Sequence, residues 1–240
     1  FRVDVTAPAA PSLVWPADKE NINDNTPNLD WEAVAENSLP VRYEVWVDDD
    51  PSFGSPEIST SVLEDNYQVP FELEEGVWYW RVRARDNAGN VGEATTRSFR
   101  VDVTAPGAPT LLEPADGTKT ADNTPTFKWT AVSELSLPVT YELQVDNDSD
   151  FSSPELHLTR LLDNAYTSPA LADGNYSWRV RARDNAGNAG EWSSVWSLLI
   201  DTKPPAAPSL VWPANKENIN DNTPNLDWEA VAENSLPVRY

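Results

Sequence analysis

The run Trp80-Arg81-Val82-Arg83-Ala84-Arg85-Asp86-Asn87-Ala88-Gly89-Asn90 returns unchanged 98 residues later as Trp178 to Asn188. Strict alternation places Trp78, Trp80, Val82 and Ala84 on one side, and Tyr79, Arg81, Arg83 and Arg85 on the other. That is the period of a strand with one buried face. Asp-Asn-Ala-Gly-Asn then ends the pattern, because Asn and Gly tolerate left-handed backbone and Asx side chains bond nearby amides. The segment predicts the long strand of a β-domain followed by a tight turn, used twice in one chain.

A repeat of this length matches the size of a sandwich domain, and each copy is long enough to bury its own core. Alternation in the first copy predicts strands over roughly 11–15, 27–34, 41–48, 58–63, 66–70, 77–85 and 95–103. Seven short strands with turn signals between them, frequent Pro (21 residues) and no long apolar helical pattern make the chain all-β. The expected core of the first copy is Leu13, Leu29, Trp31, Tyr43, Val45, Val47, Trp78, Trp80, Val82, Phe99 and Val101. In the second it is Phe127, Trp129, Tyr141, Leu143, Val145, Tyr176, Trp178, Val180, Leu198 and Ile200.

Phe-Arg-Val-Asp-Val-Thr-Ala-Pro stands at residues 1–8 and again at 99–106. It reads as the last strand of one module plus a Pro-stiffened linker into the next. The expected organisation is therefore 1–5 as the last strand of a preceding module, 7–103 and 105–202 as complete modules, and 205–240 as the incomplete start of a third. Residues 205–240 match 8–43 at 35 of 36 positions, the exception being Asp18 against Asn215. A 197-residue, two-module unit thus repeats, and the sequence is expected to be an excerpt of a longer array.

These motifs carry a resemblance. Tyr176-Ser-Trp-Arg-Val-Arg-Ala-Arg-Asp-Asn-Ala-Gly-Asn resembles the sixth strand and following loop of fibronectin type III modules. Asp-Asn-Thr-Pro before Trp31 and Trp129 resembles their second strand. Val-Asp-Val-Thr-Ala-Pro is similar to the junctions of bacterial and archaeal immunoglobulin-like repeats in large cell-surface proteins. The resemblance implies tandem seven-stranded immunoglobulin/fibronectin type III-like β-sandwiches, arranged as beads on a string. It also implies an inward Tyr at position 176, where the first module has Trp78. Such modules serve as spacers, adhesin stalks and enzyme accessories, so the resemblance specifies fold more sharply than function.

Charge narrows the partners. A formal net charge of −22 opposes nucleic-acid binding, which requires basic surface, and disfavours anionic lipid. No apolar run approaches the roughly 18 residues of a membrane span, so no membrane insertion is expected in this segment. With no cysteine, disulfides, thiolate metal sites and cysteine nucleophiles are excluded. Carboxylates are plentiful, but they lie in loops and recur between copies, which is unlike a catalytic pair. No enzymatic activity is expected. His157, the single histidine, reads as solvent-facing on an edge strand.

Three surface features remain. The outward Arg81, Arg83 and Arg85 are expected to pair across strands with Glu44, Trp46 and Asp48. Trp15 and Trp212 offer faces that a sugar ring could stack on. Finally, the loops after strands two, four and six lie at one pole beside the preceding linker. That gathers Asp4 with Asp86, and Asp102 with Asp184, as candidate calcium ligands, since calcium takes six to eight oxygens. Sequons at Asn147 and Asn175 fit an extracellular setting. The expected role is a stalk, spacer or filament segment of an extracellular microbial surface protein. Its partners would be neighbouring modules, copies of itself or cell-surface glycans. The alternative is an adhesin segment or a carbohydrate-binding accessory of a secreted enzyme.

Overall fold

The computed structural model describes residues 3–231 and is all β in its regular elements. In the first repeat, β1 (Leu13–Trp15), β3 (Asn28–Trp31) and β6 (Asn66–Gln68) form a three-stranded sheet in the order β1-β3-β6. Facing it is a five-stranded sheet. It is built from β2 (Glu20–Ile22), β8 (Val91–Val101), β7 (Gly76–Arg85), β4 (Arg42–Asp48) and β5 (Ile58–Val62), in that spatial order. The second repeat reproduces both sheets. One is β14 (Ala165–Thr167), β11 (Thr126–Trp129) and β9 (Leu111–Glu113). The other is β10 (Thr118–Thr120), β16 (Trp196–Ile200), β15 (Gly174–Arg183), β12 (Thr140–Asp146) and β13 (Leu156–Leu161).

All seven strands expected in the first repeat are present, and β2 is an eighth. Three residues long, it runs parallel to β8 with Glu20 opposite Phe99 and Ile22 opposite Val101. So short a strand shows no alternation to read. The chain enters it through Lys19 in the left-handed region (φ 64°), where the second repeat has Gly117 (φ 73°). Residues 3–5, expected to belong to a strand, are in none.

Every residue assigned to the two cores is buried. Trp31, Trp80, Trp129 and Trp178 are at most 1% exposed. At about 25 cal/mol per Å², rings of roughly 150–250 Å² dominate the apolar term of each sandwich. Trp178 packs against Phe127 at 5.0 Å and edge-on to Trp196 at 6.0 Å. Trp78 and Tyr176 occupy one structural position. The Tyr176 hydroxyl donates to the Ala172 carbonyl (3.0 Å), and the Trp78 indole N–H donates to the Glu74 carbonyl (2.9 Å). An indole therefore replaces the phenol with the same acceptor, four residues upstream.

Near the C-terminus, β17 (Leu210–Trp212) pairs with β18 (Asp227–Trp228) as β1 pairs with β3. Leu210 is 82% and Trp228 39% exposed, whereas their counterparts Leu13 and Trp31 are 4% and 1% exposed. The same residues are core only where a second sheet covers them. The expected continuation to residue 240 lies outside the described residues beyond 231.

Two compact units divide the chain. The first comprises Phe1–Gly107, Val132–Thr140 and Ala182–Glu191; the second comprises Ala108–Ala131, Tyr141–Arg181 and Trp192–Tyr240. The linker after β8 thus belongs to the same unit as the loops before β12 and after β15.

Candidate functional site: the linker clasp

The turn Asp86-Asn87-Ala88-Gly89-Asn90 is closed by its own first residue. One Asp86 oxygen accepts the Asn90 backbone N–H and the other accepts the Asn90 side-chain amide, both at 2.8 Å. Gly89 supplies the left-handed residue (φ 96°) that the reversal requires. The same Asn90 amide also donates to the Asp4 carbonyl (3.1 Å), and the Ser38 hydroxyl donates to the Asp4 carboxylate. One asparagine therefore ties a capped turn to a linker 86 residues away in sequence.

The second copy is built alike. Asp184 accepts the backbone N–H groups of Gly187 (2.8 Å) and Asn188 (2.9 Å) and the Asn188 amide (2.8 Å). That amide also donates to the Asp102 carbonyl at 2.8 Å. Asp102, 5% exposed, engages all its polar groups. Its N–H donates to Ile22 O (3.0 Å), and its carboxylate accepts Thr104 N–H (3.2 Å) and the Ser136 hydroxyl.

Two further devices hold the linkers. The Glu75 carboxylate accepts Val103 N–H (2.9 Å) and the Thr104 hydroxyl (2.7 Å), and Asp173 does the same for Thr202 N–H and hydroxyl. Hydrogen bonds from Thr104 and Val103 hold Glu75 below the usual carboxylate range, and those from Thr202 do so for Asp173. Gly92 and Gly190 provide the close approach. A Cβ at Gly92 would stand 2.4 Å from the Pro8 carbonyl oxygen, and one at Gly190 2.2 Å from that of Pro106. Only a hydrogen atom fits in either place.

The expected pairings of Asp4 with Asp86 and of Asp102 with Asp184 can now be placed. Asp4, Asp86 and Glu36 have carboxylate oxygens within 4.8 Å of one another. Asp102 and Asp184 meet through Asn188. Glu134, which corresponds to Glu36, accepts the Leu135 N–H at 2.6 Å, just as Glu36 accepts the Asn37 N–H at 2.6 Å. The shared chemistry of the two junctions is a hydrogen-bonded clasp, and the carboxylate triad belongs to the first. Sequence reasoning places Glu75 among the acidic groups at the exit pole but misses Ser38, Ser136, Gly92, Gly190 and Asp173. Their recurrence 98 residues apart was a visible signal, with Glu75 and Asp173 differing only in side-chain length.

The outward arginines pair as expected, with one correction. Arg83 bonds Glu44 at 2.6 Å and Arg85 does so at 3.0 Å, while Arg81 and Arg83 stack on Trp46 at 4.8 and 4.9 Å. Asp48, opposite Tyr79, takes no part: it is buried and turns towards its own loop. In the second repeat the ring comes from elsewhere. Gln144 stands where Trp46 does and accepts the Arg179 Nε–H (2.9 Å), and Trp192 stacks on Arg179 (4.3 Å) and Arg181 (4.6 Å). Burial pushes Glu142 up, but bonds from His157 and Arg181 outweigh it and hold the carboxyl below its ordinary value. His157 is half exposed and lies 2.7 Å from Glu142. Trp15, which sequence alone leaves between packing at a module edge and stacking on a sugar, packs against the first core. Trp212 is 38% exposed.

Comparison with known proteins agrees with this architecture. The family model of the bacterial Ig-like domain matches residues 113–202. Over 204 residues, 82% of this chain, the sequence is 28% identical to chitinase A1 of Niallia circulans, and it spans 26% of that protein's length. Among solved structures, the fibronectin(III)-like modules of Clostridium thermocellum CbhA are similar with a TM-score of 0.54 at 13% identity. That match covers 79% of this chain and 93% of the other. The FN1–FN3 domains of chicken CNTN1 give a TM-score of 0.53 at 15% identity, covering 80% and 68%. Two sandwiches of one plan, joined through a repeated linker, give the chain the fold of tandem fibronectin type III/immunoglobulin-like β-sandwiches, the second of which matches the bacterial Ig-like family model.

Proposed function

We propose that this chain is a non-catalytic spacer segment, a stalk or filament portion, of a long extracellular microbial protein. The observation that carries the reading is Asp102, whose amide, carbonyl and carboxylate all bond to neighbours in the junction. A spacer gains from linkers that hold one path, and both linkers here are clasped by the same residues. Similarity to a chitinase and to CbhA modules supports placement in a secreted enzyme or surface protein. Neighbouring modules or copies of the same protein are the partners this reading implies.

Limited proteolysis of the full chain tests it. Cleavage within 102–107 should be slow in the native protein and at least tenfold faster in Ser136→Ala with Asn188→Ala, with both sandwiches still folded. An equal rate would mean that the clasp does not hold the linker and would overturn the reading. Repeating the assay with chelator examines the proposed junction calcium at Asp4 with Asp86 and Asp102 with Asp184. Faster cleavage on chelation would support it.

A second reading, a carbohydrate-binding accessory, is favoured by the chitinase similarity and by an open cavity of about 580 Å³. Asn147, Glu155, Asp173, Asn175 and Tyr176 are among its lining residues. Retention of the chain on insoluble chitin or cellulose, lost on Glu155→Ala, would replace the spacer reading.

A further inference from the structure

We propose that the turn between β4 and β5 of the first repeat is a binding site for a calcium-sized divalent cation, held by Asp48, Asp49 and Glu57. The site is separate from the linker clasp and from its carboxylates.

Asp48 closes β4. Alternation along β4 puts it on the outward face with Glu44 and Trp46, where a carboxylate belongs in water. It is nevertheless only 1% exposed. Its turn folds back on it: the Asp50 N–H donates to Oδ1 at 3.0 Å. The other oxygen, Oδ2, is buried and has no hydrogen-bond donor. Buried polar atoms are almost always satisfied, so this oxygen lacks a partner that the polypeptide does not supply.

The surroundings say what that partner is. Oxygens of Asp48, Asp49 and Glu57 all lie within 4.8 Å of one another. Among the described residues, none of the three makes an ion pair with Lys, Arg or His. Three carboxylates converging without a counter-charge repel one another unless a cation joins them. Ligands of one calcium ion sit at about 2.3–2.6 Å, so two oxygens on opposite sides are roughly 5 Å apart. The observed spacing satisfies that limit. Magnesium is the poorer match, because it dehydrates reluctantly and keeps several waters, whereas the Asp48 oxygen is buried away from water. An all-oxygen donor set selects a hard cation over zinc or copper.

The second repeat carries the buried oxygen independently. Asp146 is 0% exposed, Oδ1 accepts Asp148 N–H at 2.9 Å, and Oδ2 has no partner. Glu155 holds the position of Glu57, but Asn147 replaces Asp49, and its N–H donates to Glu155 at 2.8 Å. One negative charge is missing, so the second turn binds the same ion more weakly. The first turn is the stronger site because calcium affinity rises with the number of carboxylates.

Calorimetric titration of the full chain, stripped with chelator, tests this with calcium chloride as the probe. The expected result is saturable binding with a dissociation constant on the order of 10⁻⁴–10⁻³ M, as in extracellular calcium modules. Because Asp48 is buried, the decisive variant is Asp49→Asn with Glu57→Gln, both exposed and free to change without unfolding the sandwich. It should weaken the tighter calcium event at least tenfold and reduce the rise in Tm on calcium addition. Asp4→Asn with Glu36→Gln should leave that event intact, which separates this site from the linker carboxylates. Absence of calcium binding, an unchanged affinity in the Asp49/Glu57 variant, or magnesium binding as tightly as calcium would each overturn the proposal.

Discussion

At the scale of single residues, the four central tryptophans carry the sandwiches. Trp80 is fully buried between the sheets, and its indole N–H has no acceptor, as is true of Trp31, Trp129 and Trp178. Those rings are held by packing alone. Trp80→Ala should therefore cost about 3–5 kcal/mol, the usual penalty for emptying an aromatic site. Denaturant unfolding followed by far-UV circular dichroism measures it. A loss below about 1 kcal/mol would mean the core collapses into the space. Burial of Trp80 and Trp178 is legible from alternation. Burial of Asp48 is not, since its parity puts it outside and only the following turn covers it.

At the scale of elements, the linkers lie against the chain just beyond the repeated turns, and glycine makes this contact possible. Gly190→Ala should displace the Pro106 carbonyl or bend the backbone beside Ala182, costing about 1–3 kcal/mol as an overpacked contact. Gly107→Ala is the control, because a Cβ there meets nothing within 4 Å. Thermal unfolding of the two variants beside the native chain should show a fall in Tm for Gly190→Ala alone. The strands themselves follow from their patterns: β7 and β15 alternate over ten residues each. β2 does not announce itself, because three residues parallel to β8 are placed by that strand's edge and not by any periodicity of their own.

For the whole molecule, acid should loosen the linkers after β8 and after β16 together. Glu75 and Asp173 have carboxyl values lowered chiefly by bonds from Thr104 and from Thr202. Groups depressed on folding contribute stability above their ordinary values, 4.5 for Glu75 and 3.8 for Asp173. That contribution fades as pH falls through the lowered folded values. The amide resonances of Val103 and Thr202, which donate to Glu75 and Asp173, should hold their shifts at neutral pH and move together below about pH 4. In Glu75→Gln the Val103 transition should disappear while that of Thr202 persists. If both persisted, another group would be responsible.

The repeat period, the strand faces, the core and the two junctions that gather Asp4 with Asp86 and Asp102 with Asp184 were readable from sequence alone. Each depends on local periodicity or on comparing one copy with the next. Tertiary structure decided which distant polar groups meet. Ser136 reaches Asp102 across 34 residues and Asn188 reaches it across 86, and no local pattern encodes such a pairing. It also decided that Leu13 and Trp31 are buried while their near-identical counterparts Leu210 and Trp228 are exposed. A strand's pattern specifies which face seeks cover, but burial requires the opposing sheet, which comes from residues far along the chain.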